Sequence, residues 1–138
     1  MSTDVLSDTM SADGLPTSFG VFKPVGYVMV GLPTQTQSDA LIVALHGAGW
    51  SSATVLHFTP REGVAELETM VGHAGAMAGF GYEVTLLRRY LELARQGYCW
   101  LLVKVSGTDH AAAATEVARG CGATLAVHYR MLTVEELL

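Results

Sequence analysis

Apolar and polar residues follow two different periods along this chain, and the pattern predicts strands and helices in turn. Residues 98–105 give the strongest strand signal, because they are rich in β-branched and aromatic residues and lie between Gly97 and the pair Ser106-Gly107. Such a nearly continuous apolar run is typical of a central strand covered on both faces. Residues 27–32 predict a second strong strand, which ends at Pro33 because proline cannot donate to a sheet ladder. Residues 53–58 and 124–130 predict two further strands.

Two helices are predicted between these strands. Leucine and alanine recur at helical spacing from Leu41 to Ala48, and Thr36 followed by Asp39 resembles a capping box at the helix start. Residues 108–119 show a similar apolar spacing and predict the second helix. Glycines follow each apolar run, at the place where a left-handed residue often ends a helix. After the last strand, the threonine at 133 and the glutamate at 136 predict one further helical turn.

The two halves of the chain resemble each other. Residues 44–58 and 117–129 show the same order of helix end, glycine-containing turn and strand, with a difference of two residues in the turn. Two successive β-α-β units predict an α+β fold, the ferredoxin-like split β-α-β sandwich, in which two helices pack on a four-stranded antiparallel sheet. The strands that begin at Tyr27 and Tyr98 would be central, and those that carry His57 and His128 would lie at the edges.

The second and third predicted strands are separated by residues 61–97, which do not fit a simple hairpin. We predict a helical insertion there, with helices over 62–71 and 83–96 and a glycine-containing run, 72–81, between them. Glycine costs a helix interior roughly 1 kcal/mol relative to alanine, so this run predicts a break or a close backbone contact. Residues 1–20 are rich in Ser, Thr, Asp and Gly and predict a flexible N-terminal arm. The remaining residues, 21–138, would form a single domain.

Alternation along the strands assigns side chains to the two faces of this sheet. The helices would cover Val28, Val30, Leu56, Phe58, Leu101, Val103, Val127 and Tyr129. The opposite face is too apolar at its centre to be left to water, so it predicts a ligand-binding or interface surface. Three covers are open: the helical insertion, a second subunit packed sheet to sheet, or a ligand. The surface would carry Tyr27, Met29, His57, Trp100, Leu102 and His128, with Val55, Lys104, Ala126 and Arg130 around them.

The charge balance and the cysteines limit the partners and the compartment. The net charge is −5 and only eight Lys and Arg are present, without clustering, which argues against a nucleic-acid partner. Cys99 and Cys121 form no CxxC pair, so we expect reduced thiols in a cytoplasmic protein. The first ten residues lack the basic and apolar regions of a secretory signal. No window reaches the ~18 apolar residues that a membrane span needs.

Two histidines are the main candidates for metal-binding chemistry in this sequence. The equivalent positions of His57 and His128 suggest paired metal ligands. On opposite edges of a four-stranded sheet, however, they would lie about 14 Å apart, too far to share an ion. The sequence contains no GxSxG nucleophile elbow, no complete dinucleotide-binding loop and no Walker A motif. It therefore predicts no catalytic residue, no metal site and no cofactor.

Three segments resemble a known family. They are the turn at residues 45–50 (Leu-His-Gly-Ala-Gly-Trp), the glycine run 72–81, and residues 90–98 leading into the strongest strand. Over residues 25–131 the chain resembles bacterial general-stress-protein-like domains. The resemblance implies a ferredoxin-like half, an Ala/Gly-rich segment and a second half, together with a stress-related role. It transfers no catalytic residue.

Three functions remain open from the sequence. The first is a non-enzymatic cytoplasmic module that self-associates and has a stress-related or regulatory role. The second is a ligand-binding protein or enzyme of the dimeric α+β barrel type, in which two open sheets enclose a pocket and a histidine near neutral pKa serves as general acid or base. The third is an adaptor that binds a protein partner through the N-terminal arm or the apolar tail, residues 134–138.

Overall fold

A computed structural model describes residues 17–18, 21–22, 25–75, 81–130 and 134–138. Within these ranges the strands are β1 Thr17–Ser18, β2 Val21–Phe22, β3 Tyr27–Leu32, β4 Val55–Phe58, β5 Cys99–Lys104, β6 Leu125–Tyr129 and β7 Val134–Glu136. The helices are α1 Gln35–Gly47, α2 Pro60–Gly75, α3 Gly81–Arg95 and α4 Thr108–Gly120, with a short 3-10 turn at Ser52–Thr54. The chain is thus α+β, as predicted. Of the predicted N-terminal arm, only Thr17–Ser18 is described, paired with Val21–Phe22.

Five strands form one antiparallel sheet in the order β4-β5-β3-β6-β7. The prediction that β3 and β5 are central is confirmed. The prediction of a four-stranded sheet is wrong, because the sheet has a fifth strand. This strand, β7, pairs with β6 and places Glu135 opposite His128. The predicted final helical turn is therefore wrong as well. Strand pairing satisfies backbone groups along β6 that an edge strand would leave open, and Leu137 continues the pairing by donating its N–H to the carbonyl of Ala126 at 2.8 Å.

Helices α1 and α4 cover one side of the sheet. Helix α1 begins at the N-cap Thr34, whose hydroxyl accepts from the backbone N–H of Gln37 while the Gln37 side chain accepts from the Thr34 N–H. The capping box therefore starts two residues before the predicted Thr36, because Gln37 supplies the reciprocal acceptor. The apolar core on this side consists of Val28, Val30, Leu32, Leu41, Leu45, Trp50, Val55, Leu101, Val103, Val105, Ala111, Ala114, Ala118 and Ala126.

The repeat predicted from the sequence appears in how α1 and α4 end. Gly49 and Gly122 both have left-handed backbone, with φ of +111° and +91°. In each turn the next N–H reaches back into the helix, from Trp50 to the carbonyl of Leu45 at 3.0 Å and from Ala123 to that of Ala118 at 3.1 Å. These are the hydrogen bonds that satisfy the last carbonyls of a helix, so both halves turn into their strands in the same way.

The insertion helices α2 and α3 cover the other side of the sheet. They pack on a core of Met29, Phe58, Leu67, Leu86, Leu87, Tyr90, Leu91, Ala94, Trp100, Leu102, Leu125, Val127 and Tyr129. An ion pair between Arg95 and Glu68, with 3.0 Å between Nη2 and Oε2, joins their outer surfaces. Of the three possible covers for this face, the insertion is therefore the one that lies over it. The middle of the predicted glycine run, residues 76–80, lies outside the described ranges. Neither these helices nor any other in the described ranges is long and apolar enough to span a membrane.

The predicted side-chain faces are right for the central strands and wrong for the outer two. Leu56, Phe58, Val127 and Tyr129 lie on the α2/α3 side, whereas Val55 and Ala126 lie on the α1/α4 side. The reason is the pairing register, which places Val55 opposite Val103 and Val127 opposite Met29. Residues directly opposite each other share a face, and a shift of one residue exchanges every side chain of a strand.

Candidate ligand-binding cleft

The six residues predicted to form one ligand or interface face are divided between the two sides of the sheet. Tyr27, Met29, Trp100 and Leu102 lie on the α2/α3 side. By the alternation of β4 and β6, His57 and His128 point to the α1/α4 side. The structure therefore brings four of these residues together beneath the insertion and places the two histidines elsewhere.

Trp100 lies at the centre of the apolar α2/α3 side and is only 2% exposed. A Cβ atom built on Gly63 of α2 would approach its Cδ1 to 2.8 Å, and one built on Gly31 of β3 would approach its Cζ3 to 2.9 Å. The rings of Tyr90 and Tyr98 lie 5.7 and 6.0 Å from the Trp100 ring. Within the described residues Nε1 has no hydrogen-bond partner, so the contacts described for this indole are packing contacts.

His128 lies on β6, opposite Glu135 of β7, and does not meet His57 on β4. Its Nδ1 is 3.8 Å from Oε1 of Glu135, which is too long for a hydrogen bond. Arg130 approaches the same carboxylate oxygen to 3.9 Å. Burial lowers the pKa of His128, and the positive charge of Arg130 lowers it further, while Glu135 acts in the opposite direction. His128 therefore favours its neutral form, in which its contact with Glu135 carries no ion pair.

An open cleft lies where β5 passes into α4, on the side of the sheet that α1 and α4 cover. Its volume is about 310 Å³, at the lower end of the range of small-molecule sites. It is formed by the turn after α1, the 3-10 turn and the β5–α4 connection. The described lining residues are Gly49, Trp50, Ser51, Thr54, Lys104, Val105, Ser106 and His110.

Trp50 joins the two chain segments that form this cleft. The left-handed Gly49 turns the chain out of α1 and brings the indole against the end of β5. There its Nε1–H donates to the backbone carbonyl of Lys104 at 2.9 Å. A buried tryptophan with its N–H satisfied in this way is a rigid anchor. The 3-10 turn is fixed separately, since the Thr54 hydroxyl donates to the carbonyl of Ser51 at 2.7 Å.

His110, in the first turn of α4, also lines the cleft. Its ring stacks on Trp50 with 4.6 Å between the ring centroids and 6° between the planes. Its Nδ1 accepts the backbone N–H of Ser106 at 3.0 Å, and the Ser106 hydroxyl lies 3.3 Å from the same nitrogen. A ring nitrogen that accepts an N–H carries no proton, so the neutral imidazole holds its proton on Nε2. The fold thus presets both the ring plane and the tautomer.

Sequence reasoning did not find this cleft. From the sequence, Trp50 is placed only in the turn at residues 45–50, and no role is assigned to His110. The two rings are separated by 60 positions in sequence, from 50 to 110, and no periodic pattern connects them. The one local signal is that His110 follows Ser106 by four residues across a helix start, which allows the side chain to accept the Ser106 N–H.

The remaining chemistry and the comparisons with known proteins add little. Both cysteines are free; Cys99 is buried, its thiol lies 3.4 Å from Oε1 of Gln35, and burial followed by the charge of Asp39 raises its pKa. Within the described residues, no three His, Cys, Asp or Glu side chains are grouped so that they could hold a metal ion.

No family model matches the chain, and no curated protein or solved structure matches it significantly. The chain's own geometry is therefore the basis for a functional proposal.

Proposed function

We propose that the sheet is a ferredoxin-like split β-α-β core extended by one strand. The strand order β4-β5-β3-β6 and the crossovers through α1 and α4 support this assignment. In it, the two strands of each β-α-β unit have one strand of the other unit between them. In this assignment β7 is an addition at one edge, and α2 with α3 is an insertion between the two units. Both additions leave the β5–α4 connection open to ligands.

We infer that the protein is a non-enzymatic regulatory module that binds a small molecule in the cleft lined by Trp50 and His110. One observation carries this inference: the polar groups of the cleft are held in place before any ligand arrives. Trp50 is fastened to β5, and His110 is fixed by stacking and by the Ser106 N–H. Preformed clefts with a few positioned polar groups are typical small-molecule sites, because little ordering remains to be done on binding.

A thermal-shift screen of a metabolite library tests this function. The blocking variant is Ser51→Tyr, because Ser51 lines the cleft, is exposed and makes no capping hydrogen bond through its side chain. The matched control is Ser52→Tyr, one position along, which is also exposed and is not a lining residue. A ligand that binds only the folded state raises Tm. We expect compounds that stabilise the wild type and Ser52→Tyr but leave Ser51→Tyr unchanged.

Two results would contradict this function. One is a library without any stabilising compound. The other is a set of compounds that stabilise all three proteins equally, since they would bind outside the cleft.

Self-association is a second candidate, and the edge strand β4 favours it. Residues 51–60 contain no Lys, Arg, Asp or Glu, whereas the opposite edge strand β7 carries Glu135 and Glu136. Natural edge strands are often protected from pairing by charge, so the uncharged edge is the better surface for a second copy. Pairing of two β4 strands around a two-fold axis would join two sheets. The stress-related role, the cytoplasmic location and an adaptor role remain predictions.

Native mass spectrometry with light scattering tests the dimer. His57 is half-buried on β4, so His57→Lys adds a charge at the edge and His57→Gln serves as the uncharged control. We expect dimers for the wild type and for His57→Gln, and monomers for His57→Lys, because the two lysines would repel each other across the new pair. A monomeric wild type, or a dimeric His57→Lys, would contradict pairing through β4.

A further inference from the structure

His128 and Glu135 bring two buried polar atoms close together without a hydrogen bond between them. His128 is only 5% exposed, and its Nδ1 has no hydrogen-bond partner within the described residues. Oε1 of Glu135 is buried and lacks a hydrogen-bond partner in the same part of the chain, and 3.8 Å separates it from Nδ1. A polar group buried in this way costs free energy, because it has lost its hydrogen bonds to water. Separation of β6 from β7 would return both atoms to water.

β7 is an edge strand of three residues, Val134–Glu136, and its neighbour in the sheet is β6. Beyond it, Leu137 donates its N–H to the carbonyl of Ala126 and packs against the α1/α4 core, whereas Glu136 is exposed. Short edge strands open at low free energy, because few contacts break while the rest of the sheet keeps its pairing. β7 can therefore detach while β6 stays paired with β3.

Detachment of β7 would uncover His128. Glu135 lies directly opposite His128, so the two side chains share the α1/α4 side of the sheet. Leu137 packs on the same side, and its hydrogen bond to Ala126 places it diagonally from His128. Without these two neighbours the His128 ring lies at the open edge of the sheet, where water reaches it.

The charged groups around His128 belong to β6 and β7. Glu135 faces its ring, and Arg130 approaches the same carboxylate oxygen to 3.9 Å. On β3 the residue opposite His128 is Val28. Helix α4 buries residues that do not titrate, namely Ala111, Ala114, Thr115 and Ala118. Burial lowers the pKa of His128 and Arg130 lowers it further, while Glu135 raises it. An opening that restores water to the ring therefore makes its protonation easier.

We propose that acidification releases β7 from the sheet, with His128 as the group that takes up the proton and the edge of β6 as the surface that is uncovered. The preference for the paired form is fully present above about pH 6.5, the ordinary pKa of histidine, and is lost as the pH falls below it. This switch is independent of the ligand-binding function proposed above, because the cleft lies at the β5–α4 connection and β7 lies beyond β6.

Hydrogen exchange measured by NMR at about pH 7.5 and about pH 5 tests the switch on the wild type. The reporters are the backbone N–H groups of Leu137 and His128. By alternation along β6, the N–H of His128 points to β7, as the carbonyl of Ala126 does, whereas that of Val127 points to β3. Dividing the intrinsic exchange rate at each pH by the measured rate gives the protection factor.

We expect the protection of the His128 and Leu137 amides to fall about 3- to 30-fold at the lower pH, while that of Val127 stays the same. The upper limit, about 30-fold, is the value for a histidine that has its ordinary pKa in the open form and takes up no proton in the paired form.

Three glutamine variants identify the responsible group. His128→Gln removes the titrating ring, so protection at its position and at Leu137 should no longer depend on pH. His57→Gln makes the same exchange on β4, at the opposite edge of the sheet, and should behave like the wild type. Glu135→Gln removes the carboxylate that favours protonation in the paired form, so its protection should fall more steeply than that of the wild type.

Four results would overturn this proposal. The first is equal protection of the wild-type His128 and Leu137 amides at both pH values. The second is an equal fall for Val127, because β6 would then leave β3 as well. The third is a fall in His128→Gln as large as in the wild type, because another group would then take up the proton. The fourth is a smaller fall in Glu135→Gln than in the wild type.

Discussion

The two tryptophans of this chain lie on opposite sides of one sheet and differ in their surroundings. Trp100 is buried on the α2/α3 side between Gly31 and Gly63, and its indole nitrogen has no hydrogen-bond partner within the described residues. Trp50 lies on the α1/α4 side, donates from its indole nitrogen to the carbonyl of Lys104 and stacks on His110 at the rim of the cleft.

This difference separates a stabilising side from a side that can bind. On the α2/α3 side the aromatic residues contact one another and the helices. These contacts stabilise the folded state because they bury the apolar face of the sheet. On the α1/α4 side the core is aliphatic apart from Trp50, and the polar groups lie at its edges, in the cleft and at His128. Substitutions on the first side should therefore change stability, and substitutions around the cleft should change binding first.

Truncation of Trp100 should give the largest effect. We expect Trp100→Ala to lower the free energy of unfolding by about 3–5 kcal/mol, because it leaves a cavity beneath α2 and α3. Urea denaturation of the variant and the wild type measures the difference. Val43→Ala is the control, since Val43 is 71% exposed on α1 and its truncation should change little. A loss for Trp100→Ala as small as that of the control would contradict the packing of the insertion on this face.

Two helical glycines of α2 should respond in opposite directions to the same substitution. A Cβ on Gly63 would meet Cδ1 of Trp100 at 2.8 Å, whereas a Cβ on Gly72 would meet no atom of the described part of the chain within 4 Å. We expect Gly63→Ala to destabilise the fold by about 1–3 kcal/mol through overpacking. Gly72→Ala should instead stabilise it by about 0.5–1 kcal/mol through helix propensity. Thermal unfolding followed by circular dichroism compares them, and the same sign for both would contradict the close approach of α2 to Trp100.

The smallest effect is a change in pH dependence on the α1/α4 side. Since burial and Arg130 lower the pKa of His128 in the folded state, the unfolded state binds a proton more readily. The stability from neutral His128 is thus fully present above its unfolded pKa of about 6.5 and is lost as pH falls through the folded value. We expect His128→Gln to lose less stability than the wild type between about pH 7.5 and pH 5. Urea denaturation across that range measures this, and equal losses would show that His128 is not held neutral.

The order of secondary structure could be predicted from the sequence because it depends on neighbouring residues. The periodicity of apolar residues indicated β3, β5 and the insertion helices, and the glycines near positions 49 and 122 marked the ends of α1 and α4. The capping box was placed two residues late because Thr34 and Thr36 are both followed by polar residues at the right distance. Such local signals define elements well and their exact ends less well.

The candidate site could not be predicted in this way. The predicted face grouped two histidines with Trp100 because alternation was counted along each strand alone. The true phases of β4 and β6 follow from their registers against β5 and β3, which depend on the packing of whole layers. The same holds for β7, whose three residues carry too weak a pattern to compete with a predicted helical turn.

The sequence by itself thus determined that this chain alternates strands and helices, which two strands are central and where two helices end in left-handed glycines, since each depends on short-range sterics and periodicity. The tertiary structure decided which face each outer strand presents, what covers Trp100, and that Trp50, Lys104 and His110 meet in one cleft. These contacts join residues far apart in the chain. They form only when both layers of helices pack on the sheet, because the close packing of the whole core stabilises them.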